Sequence, residues 1–184
     1  MPGRIWEQAM EVAMDQNGFI TFADLRRLSA DPVRLRQWHQ HGKIDKVGHG
    51  IYRFRQIAPT PLDSYMLATL WPSGRGVLSH DSALELHDLC DINPAKVHLT
   101  LPPGYWPRRR GGELYMIHHE ALQQEEVTWH EGIRIVTPAV AIRQALDTDV
   151  PTHLIRQAID TARRQGRVSR PLLDPLAERL TRRS

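Results

Sequence analysis

Apolar residues at Ile5, Trp6, Ala9, Met10, Val12 and Ala13 recur at spacings of three and four, the period of an amphipathic helix over Ile5 to Gln16. Asn17-Gly18 closes it, because glycine takes the positive φ of a helix C-terminus without steric cost. Phe19-Ile20 reads as a short extended piece. Thr21, with Asp24 three residues on, is a shortened capping box. It starts a second helix whose Ala23, Leu25 and Leu28 face inward and whose Arg26 and Arg27 face outward. Ser29-Ala30 is a turn. Asp31 caps a third helix that runs to about Gln40, with Pro32 at its first position, where a missing N–H costs nothing. Leu35 and Trp38, at i and i+3, form its buried side, and Gly42 ends it. Two short strands follow, Lys43 to Val47 and Ile51 to Arg55, reversed through Gly48-His49-Gly50. Gly18 to Phe54 therefore predicts a winged helix-turn-helix.

Pro59-Thr60-Pro61 is a stiff linker and divides the chain into residues 1–58 and 59–184. The second part alternates short strands and helices. Asp63 to Trp71 is helical, Val77-Leu78 extended, and Ser79 the N-cap of a helix with Ala83, Leu84, Leu86 and Leu89 on its apolar face. Strands are predicted over Val97 to Leu101, Leu114 to His118, Val127 to Trp129 and Ile133 to Val136. Helices follow from Pro138, capped by Thr137, and over Pro151 to Arg164. The fold class is α+β: the winged helix-turn-helix, then a small mainly antiparallel sheet flanked by helices. Gly104 to Gly112, around Arg108-Arg109-Arg110, reads as a mobile loop. The stretch past Gly166 reads as a basic tail that frays at its end.

Charge sharpens this division. The net charge of the whole chain is only +3. Residues 1–58 hold nine Lys/Arg and six Asp/Glu, whereas residues 59–184 hold fifteen of each, so the excess belongs to the N-terminal part. Between Ile20 and Arg55 it is eight against three. A local basic patch on a neutral body suits phosphate binding, though a solvated basic surface would look the same by charge alone. No apolar run approaches the ~18 residues of a membrane span. The first residues lack the uninterrupted apolar stretch of a signal peptide, so the cytoplasm is the expected compartment. Cys90 is the single cysteine, which excludes an intrachain disulfide and a Cys-rich zinc site.

The patch has the residue types of DNA recognition. Arg and Gln make bidentate contacts to guanine and adenine edges, and the start of the second helix of a helix-turn-helix reaches those edges in the major groove. Base readout is expected from Pro32, Val33, Arg34 and Gln37, with Arg36 and Gln40 nearer the phosphates. Thr21 and Arg26 flank them on the preceding helix. In the wing, Lys46, His49, Arg53 and Arg55 are candidates for the DNA backbone, His49 at the tip facing either solvent or the minor groove.

Catalytic alternatives find little support. Of ten histidines, His80 and His87 are seven apart on one helix, and no HxxxH pair occurs, so no metal site is expected. A divalent-metal nuclease of the Asp…Asp/Glu-x-Lys type needs an acid two residues before a lysine. Those positions are His41, Ile44 and Pro94. Ser79-His80-Asp81-Ser82 has triad residue types, but neighbours at a helix start diverge in direction. No P-loop or dinucleotide fingerprint is present. The expectation is a protein with no enzymatic activity and no cofactor.

The N-terminal pattern GFITFADLRRL, the helix with Leu35 and Trp38, Gly42 and then VGHGIYRF resembles AbiEi-family antitoxins of type IV toxin–antitoxin systems. VLSHDSALELHDL, the Val-His-Leu-Thr strand, the basic loop, the Tyr-x-Ile-His strand, Ile-x-Ile-Val-Thr-Pro-Ala and Leu-Ile-Arg-Gln-Ala-Ile-Asp are similar to successive landmarks of that family's C-terminal domain. The resemblance runs in order over residues 18–165. It implies a DNA-binding repressor that sits on inverted repeats of its own promoter, with self-association on that DNA. It also implies a nucleotidyltransferase toxin that is countered without a stable complex. A DNA-targeted nuclease-like enzyme and a stand-alone regulator with an oligomerising C-terminal domain are the alternatives.

Overall fold

The computed structural model describes residues 3–108 and 110–183. Its N-terminal elements are α1 (Arg4–Met14), β1 (Phe19–Thr21), α2 (Phe22–Arg27), α3 (Val33–Gln40), β2 (Ile44–Gly48), β3 (Ile51–Phe54) and α4 (Asp63–Leu70). Helix α1 buries Ala9 and Ala13 completely. Asn17 and Gly18 then adopt φ values of 52° and 90°, which turn the chain into β1. At Gly18 a Cβ would sit 3.3 Å from Ile57, so this reversal is tight as well as left-handed. The predicted capping box forms: the Asp24 N–H donates to Thr21 Oγ1 at 3.3 Å and the Thr21 N–H to Asp24 Oδ2 at 2.8 Å. Asp31 makes the side-chain bond its spacing suggests, but α3 begins one residue later than expected. Its Oδ1 accepts the Val33 N–H at 2.8 Å, which leaves Pro32 at the N-cap, just outside α3.

Strands β1, β3 and β2 form an antiparallel sheet in that order, with Ile20 opposite Tyr52 and Ile44 opposite Phe54. Ile20, Leu25, Leu35, Ile44, Tyr52 and Phe54 fill the core beneath it. Trp6 stands edge-on to Trp38 and to Phe54, with ring centroids 4.9 Å apart in both pairs. That geometry favours the positive ring edge over the negative face, and it ties α1, α3 and β3 together.

Contacts divide the chain into two units, Met1–Gly76 with His130–Ile133 and Val77–Trp129 with Arg134–Ser184. The division falls after Gly76, not at the prolines. Beyond Pro59, Thr60 Oγ1 donates to Asn17 Oδ1 at 3.1 Å, and Asp63 at the head of α4 pairs with Arg53 of β3 at 3.2 Å. These polar ties bind the Pro59–Pro61 segment and α4 into the first unit.

The second unit contains β4 (Val77–Leu78), α5 (His80–Leu86), β5 (Val97–Leu101), β6 (Tyr115–His119), α6 (Pro138–Leu146), α7 (Thr152–Arg164), α8 (Arg170–Arg183) and all but the turn-side ends, His130 and Ile133, of β7 (Val127–His130) and β8 (Ile133–Val136). The α+β class is as expected, but the sheet is mixed instead of mainly antiparallel. In the order β6-β5-β4-β8-β7, β4 runs antiparallel to β5, while β4–β8 and β5–β6 are parallel. Parallel neighbours need long crossovers, and the stretches joining β5 to β6 and β4 to β8 serve as such. Helix α7 buries Ile155, Ala158, Ile159 and Ala162, the i, i+3, i+4, i+7 stripe of a helix with one core face.

The basic stretch past Gly166 is not an open tail: Arg170–Arg183 forms α8, which buries Leu173, Leu176 and Leu180. Arg179 pairs with Asp147 at 2.5 Å, and Arg183 donates to the carbonyls of Ala145 and Thr148. Its apolar stripe outweighs the charge count and Pro175 within the helix, because the arginines find the open carbonyls at the end of α6.

Ser79 stands at the N-cap of α5 but does not cap it. Its Oγ lies 3.0 Å from His80 Nδ1, and the His80 N–H donates instead to Gln144 Oε1 of α6 at 3.0 Å. His80 takes φ 50°, a left-handed conformation that costs energy for any residue but glycine. Its imidazole stacks on that of His118 with centroids 3.5 Å apart, and His118 Nε2 lies 3.2 Å from His98 Nδ1. Burial, followed by His118, His98 and Arg143, pushes His80 down to about 3. Burial and then His98 push His118 down to about 4 against the opposing pull of Glu120. Burial lowers His98 too, against Asp81.

His80 and His118 are therefore neutral in the folded protein at neutral pH, whereas a free histidine titrates near 6.5. The unfolded chain binds more protons below that pH, so the stability they contribute is complete above about pH 6.5 and falls as the pH drops toward 3–4. Urea midpoints should decline between pH 7.5 and pH 5. His80→Asn tolerates the left-handed backbone and cannot take a proton, so it should reduce that decline; a slope equal to wild type would show that His80 does not carry it.

Candidate nucleic-acid interface

Helix α3 has eight residues, too few to persist alone in water. It is held by Leu35, fully buried, and by Trp38 against Trp6 and Phe54. Every other residue of the helix is exposed, Arg34, Arg36, Gln37 and Gln40 among them. Arg34 and Gln37 lie three apart, and Arg36 and Gln40 four apart, so each pair lies along one side of the helix. Val33 is 42% exposed at the helix start, and Pro32 is half-buried beside it. Arg36 places its guanidinium 5.5 Å above the Phe22 ring, a cation–π contact that steadies the arginine and leaves it exposed.

The ribbon β2–β3 follows at once and is tied to α3 by the Lys43 N–H donating to Trp38 O at 2.9 Å and by His39 Nδ1 lying 3.0 Å from Ile44 O. At its tip Gly50 has φ 70°, and a Cβ there would meet the Phe22 ring at 2.9 Å. The Phe22 N–H also donates to Gly50 O at 3.1 Å. The ribbon's turn is thus packed on the start of α2. Lys46 and His49 are exposed.

Arg26 is exposed on α2, five residues after Thr21. Three of the sequence candidates sit differently from the rest. Thr21 is half-buried, and its hydroxyl donates to Asp24 Oδ2 at 2.6 Å, so its hydrogen bonding serves the capping box. Arg55 is exposed but lies against Asp45, with Nε at 2.9 Å and an η nitrogen at 2.6 Å from the same oxygen. The Arg55 hydrogen bond holds the Asp45 carboxyl below the usual carboxylate range. With both side chains about half exposed, such a pair is screened and open to exchange for a phosphate.

Arg53 is a correction to the phosphate-facing reading of the ribbon. Its side chain is 15% exposed, paired with Asp63 at 3.2 Å, donating to Ile57 O at 2.9 Å and lying over the Phe19 ring. Strand alternation sets its direction: in β3 it points opposite to Tyr52 and Phe54, and α4 supplies the carboxylate on that side. The structure in turn adds Arg4, which the sequence offers only as the start of α1. With Arg34, Trp6 and Trp38 it lines an open cleft of about 260 Å³. Its signal in the chain is faint, one cation at a helix start about thirty residues before its neighbour.

Residues 7–55 match a family model described as transcriptional regulator, AbiEi antitoxin. Over that span the chain is similar to the AbiEi antitoxin family of transcriptional regulators. The matched span covers α1 from Glu7 through the ribbon. No curated protein matches the chain. Among solved structures, the chain is similar to the RV2827C protein from Mycobacterium tuberculosis, at 14% identity and a TM-score of 0.54, over 97% of this chain and 72% of that one. At that identity the likeness is one of fold.

Within residues 7–55 the cations thus divide into exposed ones and a structural one, and the two kinds should separate by experiment. Arg53→Ala should lower stability by about 3 kcal/mol, the low end for removing one partner of a mostly buried ion pair, and leave the salt dependence of nucleic-acid binding unchanged in the folded protein. Lys46→Ala should leave stability unchanged and reduce the slope of log affinity against log salt by about 0.9. Denaturation curves and salt titrations on both variants check this; the reverse pattern would return Arg53 to the interface.

Proposed function

We propose that the protein is the DNA-binding antitoxin of a type IV toxin–antitoxin system, acting in the cytoplasm as a repressor of its own operon. The observation that carries the DNA part is the exposed side of α3. Arg34, Arg36, Gln37 and Gln40 stand on a helix anchored from behind by Leu35 and Trp38. A cationic ribbon follows directly, inside the span that matches the regulator family. This is the arrangement of a winged helix-turn-helix, with α3 in the major groove and the ribbon on the flanking backbone. Two copies on an inverted repeat of the promoter are the expected stoichiometry, since operator symmetry mirrors protein symmetry. The protein works by binding and not by catalysis.

On the DNA upstream of its own gene, a gel shift should show specific binding. Arg34→Ala and Gln37→Ala should each weaken it by about 1–3 kcal/mol, the worth of a bidentate base contact, and weaken non-specific binding much less. No shift on that DNA, or equal losses on unrelated duplex, would remove α3 from base readout.

The antitoxin part rests on the ordered resemblance over residues 18–165 together with the family match. Co-expression with a nucleotidyltransferase encoded beside it should restore growth that the nucleotidyltransferase alone arrests, without co-elution of the two proteins on size exclusion. Growth arrest that persists would leave a regulator without antitoxin activity, and a stable complex would contradict the type IV mode.

A further inference from the structure

Between β5 and β6 the chain passes through residues 102–112, which carry three arginines and no acid. Arg109 lies outside the described residues. Trp106 is 67% exposed, and Arg108 and Arg110 are exposed beside it in sequence. Burying an indole is among the larger gains open to any side chain, so one left in water and flanked by cations of a single sign calls for a reason.

The indole is held in place. Its ring lies 4.2 Å from that of His119 at an interplanar angle of 43°. His119 is itself set in β6 opposite Leu101, with Nε2 3.0 Å from Tyr105 O. The Tyr105 N–H donates to Pro102 O at 3.2 Å. At the far foot of the loop, the Gly111 N–H donates to Glu113 Oε2 at 3.1 Å, and the Leu114 N–H to Gly111 O at 3.2 Å. Both feet are thus fixed by hydrogen bonds, and the first of them carries an aromatic surface braced on one side by His119 and open on the other.

A ligand that suits this loop is flat, aromatic and anionic at once. We propose that Trp106, Arg108 and Arg110 form a contact for single-stranded nucleic acid, the indole stacking on an unpaired base and the two guanidinium groups meeting adjacent phosphates. Stacking on a protein aromatic requires a base whose face is uncovered, as in single strands and not within a duplex. DNA and RNA share that chemistry. The inference is independent of the promoter reading, which concerns duplex DNA on α3.

Fluorescence anisotropy of the full chain with labelled oligouridylate, oligothymidylate and a mixed-sequence duplex tests it. Trp106→Ala should weaken single-strand binding roughly tenfold, within the range of one base–aromatic stack, and Trp106→Phe should recover most of that loss. The double variant Arg108→Ala/Arg110→Ala should flatten the single-strand salt slope by about 1.4. Arg34→Ala/Gln37→Ala should leave single-strand binding as in wild type. Preference between the two single strands would name the source. The proposal is overturned if wild type binds neither single strand at low salt, if Trp106→Ala binds like wild type, if the duplex loses affinity equally in that variant, or if the α3 variant abolishes single-strand binding.

Discussion

The anchoring of α3 by Leu35 and Trp38 is the constraint on which the first unit depends. An eight-residue helix whose other side chains all face water has no means of holding itself together. Its shape comes from what lies behind it: Leu35 in the core, and the indole of Trp38 edge-on to Trp6 and against Phe54. That aromatic group draws on α1, α3 and β3, so the three elements fix one another. The arginines and glutamines on the outer side are then presented by a surface that does not have to rearrange to accept a ligand, and pre-organisation of this kind reduces the entropy lost on binding.

Charge is used in two ways around that anchor. Asp24 is 2% exposed yet accepts from Thr21 and Gln16 and pairs with Arg27, so a buried carboxylate organises the start of α2. Arg53 makes the corresponding tie between β3 and α4. Both are charges taken largely out of water, where paired groups must stay paired because an orphaned partner is costly. The exposed cations of α3 and the ribbon bear no such structural duty, and they are the ones suited to recognition.

The second unit solves a different problem. Its α5 begins in a left-handed residue, His80, whose backbone N–H is satisfied by a side chain from α6 and whose ring stacks on His118 of β6, which in turn meets His98 of β5. Packing from several elements outweighs a local conformational penalty. The arrangement ties α5, α6 and the sheet through polar groups that burial keeps neutral.

The sequence by itself determined the elements and their order in the first unit. The 3.6-residue period of α1, the Thr21–Asp24 capping box, the Gly18 reversal and the paired strands around Gly48-His49-Gly50 are local patterns, and local patterns are what a one-dimensional reading resolves. It also determined which side of α3 faces out, because Leu35 and Trp38 leave only one. What it could not supply was the partner of any long-range contact. Arg53 looks like the other ribbon cations until α4 brings Asp63 to it, and Arg4 joins Arg34 only once α1 has packed. The parallel pairings of the sheet, the Gln144 cap on α5 and the docking of α8 by Arg179 and Arg183 likewise join residues distant in the chain. Periodicity and capping spend their information within a few residues; the choice among distant partners is made by the core they close around, and only the tertiary structure decided it.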